Sequence, residues 1–141
     1  MDLFNYDPTL FSLIVGSHIV SGFAEGEVIK FSRNKESFTL KVGAQGDGTR
    51  MRSADRSSVI ELTLLSESPS NKFLQDALIA DEQTEGGVTL PIMLRNNNTG
   101  RATHSSTAGW IKKQPDEGYG EEATNITWMI EMLSVLSLRE E

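Results

Sequence analysis

The sequence predicts an all-β protein, a β-sandwich or partly closed barrel with one flanking α-helix. Three observations support this. Short β-branched and aromatic segments recur between turn residues along most of the 141 positions. Twelve glycines, with many Ser, Thr and Asn, supply those turns. One stretch, "SPSNKFLQDALIADE", instead spaces its apolar residues as a helix does. At 38% apolar the chain holds enough for one packed core, so residues 1–141 are expected to form a single domain. It shows no internal repeat, low-complexity segment or linker.

The elements follow in order. Residues 1–9 are expected to form an N-terminal arm, with Pro8 ending any regular structure. Residues 9–20 are apolar and β-branched, and "HIVSGF" reads as a strand. Gly22, Glu25, Gly26 and Glu27 make a turn. "VIKFSR", residues 28–33, is the next strand, and Asn34-Lys35 the turn after it. "SFTLKV", residues 37–42, alternates, with Phe38, Leu40 and Val42 on one face. Residues 43–58, "GAQGDGTRMRSADRSS", are expected to be a long hairpin tip between "SFTLKV" and "VIELTLL". In the second of these strands Ile60, Leu62 and Leu64 share one face, and Glu61, Thr63 and Leu65 the other.

The helix is expected over residues 69–82. Ser68 is its N-cap candidate, because a serine oxygen can accept from an unpaired first-turn N–H. Pro69 fits the first helical position, where its missing N–H has no intrahelical partner to lose. Phe73, Leu74, Ala77 and Leu78 then share one face. "VTLPIMLR", residues 88–95, is a strand that Pro91 assigns to an edge or a bulge, since proline donates no ladder hydrogen bond. "NNNTG" is a turn. "RATHSSTAGWI" returns as a strand, and residues 112–122 form a polar loop. "NITWMIEMLSVLSL", residues 125–138, closes the chain. Its start favours a strand and its end fits strand or helix; strand is the reading adopted. The tally is about eight strands and one helix.

Chemistry is sparse. His18 and His104 are the only imidazoles, and neither lies in a nucleophile-elbow pattern. His104 and Ser105 are adjacent on a strand and point to opposite faces, so they make no dyad. No catalytic residue, cofactor or metal site is therefore expected. There is no cysteine, and no His pair at ligand spacing. "GDG" at Gly46–Gly48 lacks the rest of a calcium loop, and "GAQGDG" lacks the Lys-Ser/Thr of a phosphate loop. Trp110 and Trp128 are conceivable ligand platforms, which would make the protein a small β-sandwich binding module, but aromatics of a small β-protein usually fill its core. The same default applies to Phe73, Leu74 and Leu78.

Charge narrows the field further. The net charge of −7 argues against gripping nucleic acid through its phosphates. The N-terminal twenty residues lack a basic region and carry Asp2 and Asp7, so they make a poor signal peptide. The apolar run at residues 10–15 is too short to cross a bilayer, and no membrane anchor is expected. Asp47, Arg50, Arg52, Asp55 and Arg56 form a mixed-sign cluster suited to docking against protein. Glu117, Glu121 and Glu122 form an acidic stretch of a polar loop.

Taken in order, several of these pieces resemble the tail tube proteins of tailed bacteriophages, in particular small structural proteins of contractile-tailed phages. They are "GFAEGEVI", "ESFTLKVGAQG" with the Arg/Ser/Asp-rich loop after it, the strand-to-helix passage "VIELTLLSESPSNKFLQDAL", and "GWIKKQP". Glu67 stands in that passage where Thr or Gln is often seen. The resemblance covers most of residues 20–130. It implies a fold similar to the secreted tube protein of type VI systems. It also implies hexameric rings of this chain, stacked into a hollow tube through which phage DNA is ejected without specific binding. Sheath, tape measure and baseplate proteins are the implied partners. The implied location is the virion tail, built in the bacterial host cytoplasm. A baseplate or tail-terminator protein of the same fold is the alternative. On this resemblance the Asp47–Arg56 cluster becomes an expected contact between rings, and edge strands are expected to be completed by neighbouring copies.

Overall fold

In the computed structural model, residues 3, 11–26, 29–97, 100–120 and 124–139 are described. Apart from Leu3, the expected arm over residues 1–9 lies outside them, as do Glu27, Glu121 and Glu122. The strands are β1 (Phe11–Val15), β2 (His18–Ile19), β3 (Ile29–Arg33), β4 (Phe38–Val42), β5 (Gly48–Arg52), β6 (Ser58–Leu64), β7 (Leu90–Asn96), β8 (Ala102–Ile111), β9 (Ile126–Met132) and β10 (Leu136–Ser137). One helix, α1 (Pro69–Gln83), separates β6 from β7.

Strict alternation makes β6 the spine of the core. Ser58, Ile60, Leu62 and Leu64 are fully buried, while Val59, Glu61 and Thr63 between them are not. On one side β6 pairs with β3, and on the other with β9, whose Trp128, Ile130 and Met132 face the same interior. The sheet runs β2-β1-β7-β8-β9-β6-β3, with every pairing antiparallel, and β10 lies against β8. It curls strongly. Phe31 of β3 stacks on His104 of β8, with ring centroids 3.9 Å apart, although two strands separate β3 from β8 in the ladder. The curl stops short of closure: among the described residues no closed barrel forms, and β3 has no partner beyond β6.

The helix closes part of the interior. Ser68 accepts a hydrogen bond from the Ser70 N–H at 3.2 Å and is the N-cap, and Pro69 occupies the first turn. Leu74 and Leu78 are buried against the sheet, each worth about 1.5–3 kcal/mol of apolar transfer. Asn71 links three elements. Its amide donates to Leu65 O at 2.9 Å, and its Oδ1 accepts from Trp128 Nε1 at 2.9 Å. The helix therefore follows β6 immediately because "SPSN" caps it, starts it and clips it to β9.

Three expectations need correction. Residues 43–58 are not one long tip. Gly48–Arg52 is a strand paired with Phe38–Val42 in its own two-stranded sheet, and only Gly43–Asp47 turns. The polar, basic composition of "GTRMR" disguised it, because a strand outside the core needs no apolar alternation. The strand with Pro91 is internal, between β1 and β7's other neighbour β8; the bulge half of that reading holds. The register shifts between Leu90 and Ile92, which absorbs the missing N–H, and Gly16 N–H donates to Pro91 O at 2.8 Å. Residues 125–138 bend after Met132 and resume as β10, with Val135 buried at the bend.

Candidate assembly surface

The β4–β5 hairpin is the feature that the core does not explain. Cross-strand partners share a face, so Phe38 with Arg52, Leu40 with Arg50, and Val42 with Gly48 form one side. Thr39, Met51, Lys41 and Thr49 form the other. The first side is largely exposed: Phe38 is 43% exposed, Leu40 69% and Val42 58%. Arg50 caps Phe38, its guanidinium carbon 4.4 Å from the ring centroid, a contact worth about 0.5–1 kcal/mol at an exposed site. Gly46, at φ +92°, and the 2.7 Å bond from Gly43 N to Asp47 O make the turn. An isolated two-stranded sheet is marginally stable in water, so this one calls for a partner surface.

The base of the hairpin is tied to the body. Asn34 donates from its backbone to Ser57 O at 3.1 Å and from its amide to Ser57 Oγ at 2.9 Å. Asp55 accepts from Ser57 Oγ at 2.6 Å and Ser57 N at 2.9 Å. Those bonds, with the nearby Lys35 charge, hold its carboxyl below the ordinary value. Arg56 offers its carbonyl to Val135 N. The five residues singled out in the sequence therefore divide. Asp47 lies in the turn, Arg50 and Arg52 stand on β5, and Asp55 and Arg56 belong to the base. Ser68 and Pro69 start the helix at a distance in sequence from all of them.

Sequence alone missed that Phe38, Leu40 and Val42 face solvent. The available signal was their partner strand: "GTRMR" offers a single apolar residue, too few for a second buried layer.

A groove of about 850 Å³ is lined by Phe11, Phe31, Leu94, Arg33, His104 and Arg139, among others. His104 Nδ1 lies 2.7 Å from Ser137 Oγ. Burial first, then the Arg139 and Arg33 charges, lower its pKa from the ordinary histidine value. His18 stacks on Phe73 at 4.3 Å and sets Nε2 2.8 Å from Ser70 Oγ. Among the described residues no carboxylate hydrogen-bonds to either ring. Nor do any three His, Cys, Asp or Glu among them gather as metal ligands. Among the described residues no helix is long and apolar enough to cross a membrane. Trp128 is buried in the core and is no ligand platform, and Trp110 is half-buried beside Glu131.

Among the described residues the chain is mostly β with one helix, and its β4–β5 hairpin leaves an apolar face exposed. Comparison with known proteins defines its kind, a structural phage tail protein and not an enzyme. Residues 6–138 match the family described as the bacteriophage PhiTE tail tube protein, and the chain belongs to that family. It is 28% identical over 123 residues to "Structural protein ORF10" of Pseudomonas phage KPP10, covering 82% of this chain and 67% of that one. The fold is similar to the PVC sheath/tube terminator of an extracellular contractile injection system in its extended state. The TM-score is 0.65 at 12% identity, over 97% of this chain and 99% of that one. It is also similar to the tube-terminating cap of the anti-feeding prophage, with a TM-score of 0.62 at 13% identity, over 96% and 92%. A chain of the PVC sheath–tube complex overlaps with a TM-score of 0.55 at 12% identity, over 96% and 93%.

Proposed function

We propose that this chain is the tail tube subunit itself, assembling into hexameric rings that stack as a hollow conduit for DNA ejection. The observation that carries the reading is the hairpin: on one face Phe38, Leu40 and Val42 are exposed, and among the described residues the hairpin contributes nothing to the core. Unpaired strand edges add to it. Among the described residues β3 pairs only with β6, and β4 and β5 only with each other. Neighbouring copies would complete those edges and cover that face. Sheath, tape measure and baseplate proteins would be the further partners, and assembly would take place in the host cytoplasm. The net charge of −7 suits a bore through which DNA slides without adhering.

A tube terminator is the second reading, favoured by the fold overlap with two terminating chains. The two differ in behaviour. Negative-stain microscopy of the purified protein should show hollow tubes of uniform diameter and variable length. Rings that never lengthen would favour the terminator, and monomers at high concentration would sink both.

A further inference from the structure

The hairpin is a basic piece of an acidic protein. From Phe38 to Arg52 it carries Lys41, Arg50 and Arg52 against Asp47, a net of +2, and the rest of the −7 chain therefore carries −9. Its exposed face sets Phe38, Leu40 and Val42 beside two guanidinium groups on alternate positions of one strand, about 7 Å apart along the backbone.

A surface of matching chemistry lies on the body. The side chains of β6 and β9 that turn away from the core include Val59, Glu61, Met129 and Glu131. Register sets Glu61 opposite Met129 and Val59 opposite Glu131. The two glutamates therefore stand on a diagonal, a spacing of about 7–8 Å. Met129 is 37% exposed, so the patch has an apolar centre. Lys112 Nζ lies 3.5 Å from Glu131 Oε2, and Lys30 sits opposite Glu61 on β3; both lysines are exposed. A carboxylate accepts several hydrogen bonds at once, so these lysines leave room for a guanidinium. Among the described residues, Arg50 and Arg52 pair with neither glutamate within one copy.

We infer that the hairpin of one subunit docks on the outer β6–β9 face of an adjacent copy. Arg50 and Arg52 meet Glu61 and Glu131, while Leu40 and Val42 cover Met129 and Val59. The occupant is a second copy because the donor and acceptor surfaces are different parts of one chain with opposite charge. Such a contact is heterologous and propagates as a ring or a stack. The inference rests on the tube-subunit reading and names the contact that would build the tube.

Reciprocal charge reversal tests it. One variant carries Arg50→Glu and Arg52→Glu, and the other Glu61→Arg and Glu131→Arg. Each alone sets like charges across the contact, so each should lose assembly by sedimentation and microscopy. Mixed in equal amounts, they should regain it, because every contact in an alternating assembly again joins opposite charges. Damage to the fold would not be cured by mixing. Variants that assemble singly like the wild type would overturn the inference, as would a folded pair that stays monomeric when mixed. Should the Glu→Arg variant not fold, Glu61→Gln with Glu131→Gln should still weaken assembly at least tenfold in critical concentration; no change overturns the contact. The two readings fail separately. Tubes from every variant sink the contact and spare the tube. Closed rings that obey the charge pattern but never lengthen sink the tube and spare the contact.

Discussion

Individual residues show why the recurring pieces of this sequence are what they are. A Cβ on Gly109 would run into Ile92 Cγ1, so "GWI" needs its glycine to let β7 and β8 close. Gly109→Ala should destabilise the fold by about 1–3 kcal/mol, read from chemical denaturation. Gly22, at φ +76°, fits against Ser68, whose hydroxyl donates to Ser21 O at 2.5 Å while capping the helix. The sequence shows both glycines as turn or strand residues but not what they touch. His104 makes a pH prediction. Unfolded, it titrates near about 6.5. In the fold its pKa is lower, chiefly through burial and then through Arg139 and Arg33. Between the two values the unfolded chain binds more protons, so stability rises with pH there. The contribution is complete above the unfolded value and is lost as pH falls through the folded one. Melting temperature should therefore drop between pH 7 and pH 5, and His104→Gln should flatten that drop; an equal drop in the variant removes His104 as its cause.

At the scale of elements, legibility followed burial. Strand β6 and the helix were readable because one face of each is buried and their periods of two and near 3.6 are undisturbed. The cap at Ser68 was readable because capping is local chemistry. The hairpin was not, because "SFTLKV" alternates as convincingly as "VIELTLL" does. Alternation says that one face is apolar, and it does not say what covers that face. Changing Leu40 and Val42 to Thr places a strand-favouring β-branched residue at both positions and removes most of the exposed apolar surface. Melting should stay within about 0.5 kcal/mol of wild type, since surface changes away from the core rarely exceed that. Assembly should be lost. A large fall in melting temperature would show that the hairpin belongs to the core after all. The internal position of the Pro91 strand was hidden for another reason: a bulge removes the need for the missing donor, and a bulge leaves little mark on the sequence.

For the molecule as a whole, the curled but open sheet determines behaviour. The sequence foretold an all-β chain with one helix, but the unclosed seam depends on long-range pairing that no local pattern encodes. The split of charge between a basic hairpin and an acidic remainder adds a prediction about salt. Screening shortens from about 10 Å at 0.1 M to about 3 Å at 1 M, so raised sodium chloride should slow assembly. Light scattering would record this, and a rate independent of salt would show that apolar contact alone drives association.

Because, among the described residues, this finger is anchored at its base but places no side chain in the interior, the stability of the body constrains its tip little. A screen that scores only heat resistance would pass every defective tip, and lineages could trade one tip for another, changing which neighbours they accept while the body beneath stays as it was.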